Sequence, residues 1–515
     1  MADNGVLIGN SDHFEFLRLD RANRHGLVAG ATGTGKTVTL QVLAQGFSDA
    51  GVPVFAADVK GDLSGISMAG TPNEKMLARA KAMNLELQPA SAPVVFWDLF
   101  GTEGHPIRAT VSEMGPLLIS RMLDLNEVQE GVMAVVFRAA DEEGLLLLDM
   151  KDLQAALNYV SQHAADLSAR YGNVAPATVA TIQRKLLVLE DQGGDKLFGE
   201  PALNLPDLMR CDGAGRGFVS LLSANKLISN PQLYATFLLW LMSELFEQMP
   251  EVGDPEKPRL VFFFDEAHLL FRDAPKSLLE KVEQVVRLIR SKGIGIYFIT
   301  QNPADIPETV LGQLGNRVEH ALRAYTPSEQ RGLRAAADSF RPNPAFDTAE
   351  AIQGLGVGEA LVSVLDEKGA PTIVAKTMVR PPNSRIGPIS PAERTQLMAT
   401  SPVKGLYDQA IDRDSAFERL NARTQAPASS PAPAPAPAPA SPPVPPSSPA
   451  QTPQADSGLG DLAGAAAAVV FGRQGGRQSM AETFAKQLIR TVASSAGREI
   501  MRGMLGGLSK SSRRR

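Results

Sequence analysis

An octapeptide near the N-terminus constrains the fold of this chain more than any other feature. Residues 30–37 read GATGTGKT, which fits the pattern GxxxxGK[ST] in full. The apolar run GLVAG at residues 26–30 precedes the loop, and a helical pattern follows it. A glycine-rich loop between a strand and a helix lets successive N–H groups point at one anion. The sequence therefore predicts an α/β fold with a phosphate-binding loop.

The same octapeptide predicts the contacts to a nucleotide. We expect the Lys36 ammonium to neutralise the β- and γ-phosphates and the Thr37 hydroxyl to ligate Mg²⁺. ATP and Mg²⁺ are thus the expected cofactors. The expected nucleotide-binding residues are Gly30, Ala31, Thr32, Gly33, Thr34, Gly35, Lys36 and Thr37.

Short apolar runs that alternate with helical stretches predict the rest of the sheet. Such runs are typical of a mostly parallel sheet buried on both faces. After 26–30, the predicted strands are 52–58, 94–98, 217–222, 260–265, 295–300 and 317–322. The long stretch between the third and fourth strands, residues 105–212 or so, is predicted to be a helical insertion. It is either scaffold, or a lid or a surface for a partner.

Two further strand ends carry polar residues that suit ATP hydrolysis. The run LVFFFDEAH at 260–268 predicts Asp265 beside the metal, at the end of a strand. Glu266 follows it, and a second carboxylate there can polarise a water for in-line attack. The run GIYFITQNP at 295–303 predicts that Gln301, and less directly Thr300, senses the γ-phosphate or the attacking water. Water is therefore favoured over a small metabolite as the phosphoryl acceptor.

Other candidates near the phosphates remain open from the sequence. Asp58 lies at the end of the second predicted strand. It either reaches the magnesium shell or the neighbouring subunit, or it caps a turn. Phosphoryl transfer also favours a cation near the developing charge. Four arginines qualify by position, and the residues alone do not choose among them: Arg287, Arg290, Arg317 and Arg323.

Composition restricts the class of protein. The formal net charge is −5, so the chain as a whole is not a basic nucleic-acid binder, although a basic channel or tail is compatible with that charge. The single cysteine, Cys211, excludes an internal disulfide, and we expect it to be buried and inert. The N-terminus lacks the pattern of a signal peptide, and no apolar run reaches the ~18 residues of a membrane span. We therefore expect a cytoplasmic protein with no transmembrane segment.

The C-terminal part changes composition twice. Residues 1–385 are predicted to be the ATPase core and 386–424 its C-terminal extension, followed by a Pro/Ala-rich linker at 425–453. Residues 454–515 form a basic tail, in which 477–515 hold nine Lys and Arg against two Glu. Met480, Phe484, Leu488 and Val492 give this tail one apolar helical stripe. The tail fits contact with DNA, an anionic membrane, a protein partner or the ring itself, or it is a solvated segment.

Four motifs together resemble one family. The runs GATGTGKT, DVKGDLSG, FFFDEAH and ITQNP resemble the HerA-like branch of the HerA/FtsK superfamily of ring ATPases, over residues 5–385 or so. The runs NRHGLVAGATGTGKTVTLQ and FWDLFGTEGHPIRATVSEMGPLL are more similar still to its bacterial subgroup of HerA-like helicase-domain proteins. The resemblance implies a RecA-like core that assembles into a hexamer and moves duplex DNA. It also implies an arginine supplied by the neighbouring subunit, at the position of Arg290.

Two functions remain in view at this point. One is an ATP-hydrolysing DNA translocase or helicase, which the resemblance implies. The alternative is a nucleotide-dependent switch or assembly ATPase that acts on a protein or membrane-associated complex through the insertion and the tail. The two differ in whether DNA stimulates ATP hydrolysis.

Overall fold

The computed structural model describes residues 5–227, 230–271 and 276–425. The predicted linker, beyond its first residue, and the predicted basic tail lie outside these ranges. Within them, every helix falls short of the length or the hydropathy needed to cross a membrane.

All strands of the described ranges belong to one sheet. In chain order they are β1 Gly5–Asn10, β2 Phe14–Arg18, β3 Gly26–Ala29, β4 Val54–Asp58, β5 Val94–Asp98, β6 His105–Pro106, β7 Val219–Ser223, β8 Leu260–Phe264, β9 Ile294–Thr300, β10 Asn316–His320, β11 Glu359–Ser363 and β12 Ala375–Val379. Their order across the sheet is β2-β1-β12-β11-β10-β3-β9-β8-β4-β7-β5-β6.

The sheet has a parallel part and an antiparallel part. Every pair from β10 through β3, β9, β8, β4, β7 and β5 to β6 is parallel. The pairs that join β10, β11, β12, β1 and β2 are antiparallel. The predicted mostly parallel sheet is confirmed, and each of the seven predicted strands is present. Strands β1, β2, β6, β11 and β12 were not predicted.

Helices fill both faces of the sheet and the connections between strands. Several begin at side-chain caps, and Thr110, Asn126 and Asp149 each form a reciprocal capping box at the start of a helix. The helices are α1 Lys36–Asp49, α2 Glu74–Ala82, α3 Val111–Met122, α4 Glu127–Glu142, α5 Met150–Gln162, α6 Ala164–Tyr171, α7 Pro176–Asp191, α8 Gly194–Leu197, α9 Pro231–Gln248, α10 His268–Phe271, α11 Lys276–Ile289, α12 Glu308–Leu311, α13 Pro327–Asp338, α14 Thr348–Gln353, α15 Pro391–Ala399 and α16 Ala416–Gln425.

The sheet is buried on both faces, as its strand sequences predict. Successive side chains of a strand point to opposite faces, so β8 contributes Phe262 and Phe264 to one apolar cluster and Phe263 to the other. Phe47 of α1 packs on the second face, where its ring centroid lies 6.2 Å from that of Phe263. Both faces of β8 are therefore apolar, which is why the run LVFFF does not alternate with polar residues.

The helical insertion shares the core of the sheet. Helices α3 to α8 occupy the stretch predicted as helical, between β6 and β7. Their buried residues, such as Met133, Leu157 and Ile182, belong to the same contiguous apolar cluster as Trp97 of β5 and Phe264 of β8. Scaffold is thus the interpretation that this packing supports.

The segment after β12 ties the insertion to the sheet. The Tyr407 hydroxyl donates to Asp207 Oδ2 at 2.6 Å, and its ring centroid lies 5.2 Å from that of Trp97. At the start of α16, the Ser415 hydroxyl donates to Asp152 Oδ1 of α5 at 2.6 Å. Residues 386–425 therefore contact both the edge of the sheet and the insertion.

We expect the contribution of His25 to the free energy of unfolding to fall as the pH drops from 6.5 towards 4. His25 lies just before β3, and its Nδ1 accepts the Ile296 N–H at 3.0 Å while Nε2 lies 2.7 Å from Val286 O. Burial lowers the pKa of His25 from 6.5 to about 4, so the unfolded chain takes up the proton first. The difference between the two pKa values corresponds to a loss of up to about 3 kcal/mol from His25.

Urea unfolding of the wild type and His25→Gln between pH 7 and 4.5 measures this dependence. The variant is expected to be less stable at pH 7 and to lose less stability on acidification. His163→Gln, at an exposed position, is the control. Identical slopes for wild type and His25→Gln would contradict the assignment.

Candidate nucleotide site

The predicted phosphate-binding loop connects β3 to α1. Its backbone favours glycine at three points, because Gly30, Gly33 and Gly35 have φ angles of 142°, 79° and 122°. The Lys36 ammonium donates to Gly30 O at 2.6 Å and to Ala31 O at 3.1 Å, within the loop itself. The Ala31 N–H donates to Ala321 O at 2.8 Å, so the loop is fastened to the segment after β10.

A buried histidine, His320, contacts the helix α1 that follows the phosphate-binding loop. His320 Nε2 lies 2.8 Å from Thr39 Oγ1, and Nδ1 lies 2.9 Å from Glu359 O. Burial lowers the pKa of His320 to about 4, so the ring is neutral at pH 7. With Nδ1–H donating to the carbonyl, Nε2 accepts the Thr39 hydroxyl. Sequence reasoning missed this support, because a histidine in a strand carries no motif.

Two consecutive carboxylates follow β8 at the same edge of the sheet. Asp265 Oδ1 accepts the Glu266 N–H at 2.9 Å. Burial, and then the negative charge of Glu266, raise the pKa of Asp265 to about 7. A carboxylate in such a poorly compensated position suits a divalent cation, and Mg²⁺ typically takes one or two carboxylates together with phosphate oxygens. Asp265 therefore fits the predicted magnesium site, and Thr37 lies in the first turn of α1, directly after Lys36.

Glu266 is held by several neighbours in an uncommon backbone conformation. Its φ is 49°, in the left-handed region, and the residue is 5% exposed. Lys60 Nζ donates to Oε1 at 2.6 Å, and Gln301 Nε2 lies 3.2 Å from both oxygens. Burial opposes the charged form, but the hydrogen bond and charge of Lys60 outweigh it and lower the pKa of Glu266.

Gln301 links the two predicted motifs. Its Oε1 accepts the Thr32 hydroxyl of the loop at 3.2 Å, while its amide contacts Glu266. Thr300 is fully buried and its hydroxyl donates to Asn302 O at 3.3 Å. The structure thus places Gln301, rather than Thr300, between the phosphate-binding loop and the carboxylates.

The segment after β4 contributes one residue that sequence reasoning left open and one that it missed. Asp58 caps the turn, since its carboxylate accepts the N–H groups of Gly61 at 2.8 Å and Leu63 at 3.1 Å. Lys60 contacts Glu266 and was not predicted. In the sequence, Lys60 is marked by its position two residues after a strand end, within DVKGDLSG. In that segment only Asp58 was a candidate site residue.

The four candidate arginines lie in different surroundings. Arg290 precedes β9, whereas Gln301 follows this strand, so about 20 Å of extended chain separates them. The Arg317 guanidinium donates to three backbone carbonyls, including Leu311 O at 2.9 Å, and serves the fold. Arg287 and Arg323 are exposed.

The expectation that the single cysteine is buried is wrong. Cys211 is exposed rather than buried, because it lies just after the 3-10 turn Leu205–Met209 at the surface, where its backbone pairs with Gly217 in an isolated bridge.

Taken together, the loop, the carboxylates and the parallel sheet define a P-loop NTPase. Residues 6–515 match the family described as helicase HerA-like, C-terminal. The chain belongs to this family, within the HerA/FtsK superfamily that the motifs resemble.

The individual relatives have low sequence identity to this chain. The chain is 21% identical over 364 residues to the DNA double-strand break repair helicase HerA of Sulfolobus acidocaldarius, a match that covers 70% of this chain and 66% of that one. The helicase of the same name from Saccharolobus solfataricus is 25% identical over 104 residues, 20% of each chain. The chain thus spans less than two thirds of these relatives.

Two solved structures are similar in outline. The plasmid coupling protein TrwB, bound to a non-hydrolysable GTP analogue, is 14% identical with a TM-score of 0.48, over 73% of this chain and 90% of TrwB. VirB4 of Thermoanaerobacter pseudethanolicus is 14% identical with a TM-score of 0.47, over 76% of this chain and 99% of that one.

Gly30→Ala is expected to weaken nucleotide binding at least about tenfold while the fold persists, because the loop must shift. A Cβ at Gly30 would lie 2.5 Å from the His320 Cβ, and the φ of 142° disfavours any side chain. Gly387→Ala is the matched control, since its φ is 88° but a Cβ there meets nothing within 4 Å. Titration with a fluorescent ATP analogue measures the affinity. Equal affinities for the two variants would contradict this role of Gly30.

Proposed function

We propose that the protein is an ATP-hydrolysing ring motor that moves duplex DNA, as a translocase or helicase of the HerA type. The observation that carries the proposal is the convergence of four side chains at one edge of the sheet. Lys36 follows β3, Gln301 follows β9, and Asp265 and Glu266 follow β8. Family membership supports the same activity.

Each residue has a distinct role in the proposed hydrolysis. The loop residues 30–37 hold the phosphates, with Lys36 neutralising charge on the β- and γ-phosphates. Thr37 and Asp265 would hold Mg²⁺, which when bound neutralises charge that develops on the phosphate oxygens. Glu266 accepts a proton from the attacking water, and Gln301, within 3.2 Å of Glu266, orients that water.

Arg290 supports the proposal of a ring. It lies at the end of β9 opposite to Gln301, so within one subunit it does not reach the γ-phosphate. Its side chain is 44% exposed, and Asp254 Oδ1 lies 3.7 Å from its Nε. We propose that Arg290 contacts the nucleotide of the neighbouring subunit in a hexamer. Because DNA is the proposed substrate, we place the protein in the cytoplasm.

Glu266→Gln is expected to bind ATP with near wild-type affinity and to lower kcat by about 10²- to 10⁴-fold, because an amide cannot accept the proton. A steady-state ATPase assay combined with a binding titration separates the two effects. Glu256→Gln, at an exposed position, is the matched control and should retain full activity. Wild-type turnover by Glu266→Gln would refute the role of Glu266.

Linear duplex DNA is expected to stimulate the ATPase rate several-fold, and the stimulation should fade as salt rises, because phosphate contacts weaken steeply with ionic strength. The rate is measured with and without DNA at low and moderate salt, with Lys36→Ala as the blank. A rate indifferent to DNA would favour the alternative, a nucleotide-dependent switch or assembly ATPase that acts on a protein or membrane-associated complex. Loss of recruitment on deletion of 454–515 would support that alternative.

Mixing two inactive variants tests whether Arg290 acts between subunits. In a ring that contains both Arg290→Ala and Glu266→Gln subunits, an intact Glu266 can face an intact Arg290 from its neighbour. We therefore expect mixed rings to regain part of the wild-type ATPase rate, in a proportion that depends on the mixing ratio. Arg287→Ala, at a nearby exposed position, should be active alone. Mixtures as inactive as their components would contradict action in trans.

A further inference from the structure

We propose that Lys60 restrains ATP hydrolysis by holding Glu266, and that the phosphates of bound DNA release this restraint. The inference rests on the proposed function, because Glu266 is the residue proposed to accept the proton of the attacking water. It assigns regulation of that site to a residue outside the phosphate-binding loop.

The carboxylate of Glu266 is occupied on both oxygens. Lys60 Nζ donates to Oε1 at 2.6 Å, Gln301 Nε2 lies 3.2 Å from both oxygens, and His268 Nδ1 lies 3.4 Å from Oε2. A carboxylate oxygen that already accepts an ammonium has one position fewer for a water. In this arrangement, Lys60 lowers the ability of Glu266 to activate water.

The side chain of Lys60 can leave Glu266 without a change of the backbone. The turn that carries it is fixed by Asp58, whose carboxylate accepts two N–H groups, from Gly61 and Leu63. The Lys60 side chain is 43% exposed, whereas that of Glu266 is 6% exposed. An anion that approaches from solvent therefore meets Lys60 before it meets Glu266.

A polar chain connects this exposed lysine to the nucleotide loop. It runs from Lys60 to Glu266, then to Gln301, and ends at the Thr32 hydroxyl, with each contact between 2.6 and 3.2 Å. Lys36 has a different position, since its ammonium is directed into the loop and the residue is 9% exposed. The two lysines therefore have different roles. Lys36 binds the nucleotide phosphates, and Lys60 contacts an anion that approaches from solvent. DNA phosphates are the anion that the proposed function brings to the ring.

The test compares kcat and KM for ATP in Lys60→Met, Lys60→Arg and wild type, without DNA and with saturating linear duplex. Without DNA, Lys60→Met is expected to raise kcat about two- to fivefold, the range that loss of a half-exposed ion pair covers, and to leave KM unchanged. Its stimulation by DNA should shrink by the same factor. Lys60→Arg, which keeps the ion pair, should behave as wild type. Lys81→Met, at an exposed position of α2, is the control.

The outcomes separate this inference from the proposed function. A lower or unchanged kcat in Lys60→Met with wild-type KM, or undiminished stimulation by DNA, would overturn the restraint while the motor function stands. A wild type that DNA does not stimulate would refute the DNA motor, and a faster Lys60→Met in that case would refute DNA as the releasing anion. An unchanged KM also shows that the variant is folded, and Lys36→Ala in the Lys60→Met background provides the blank.

Discussion

Parallel pairing of four neighbouring strands is the constraint on which the site depends. Because β3, β9, β8 and β4 run in the same direction, their carboxyl ends meet at one edge of the sheet. That edge receives the phosphate-binding loop, Gln301, the two carboxylates and the turn with Lys60. The hydrophobic sequence of these strands fixes the arrangement, since both of their faces must be covered. The chemistry of the site is thus set by packing that lies well away from it.

The carboxylates at this edge are mostly buried and only partly compensated by positive charge. Asp58, Asp265 and Glu266 are crowded together, and burial raises the pKa of Asp58 to about 6 and that of Asp265 to about 7. Lys60 and Lys36 supply the nearby positive charge. Partly compensated carboxylates suit a divalent cation, and the Lys36 ammonium suits the phosphates of a nucleotide.

Much of this could be predicted from the sequence, and the exceptions have physical reasons. The central strands and motifs were predictable because a strand buried on both faces is a continuous apolar run, and because the phosphate-binding loop has fixed spacing. Strands β1, β2 and β12 were missed because they lie at the antiparallel side of the sheet, where the burial patterns are mixed. The contact between Lys60 and Glu266 spans 206 positions of the chain, so local patterns could not reveal it.

The shared core of sheet and insertion has a mechanical consequence. To swing away from the sheet, helices α3 to α8 would have to expose apolar side chains that now touch those of β5 and β8. Exposing 100 Å² of apolar surface to water costs about 2.5 kcal/mol of free energy. A hinge motion that exposes several such areas is therefore unfavourable. The insertion and the sheet are therefore expected to move as one rigid unit, so any rotation at the nucleotide edge would carry helices α3 to α8 with it.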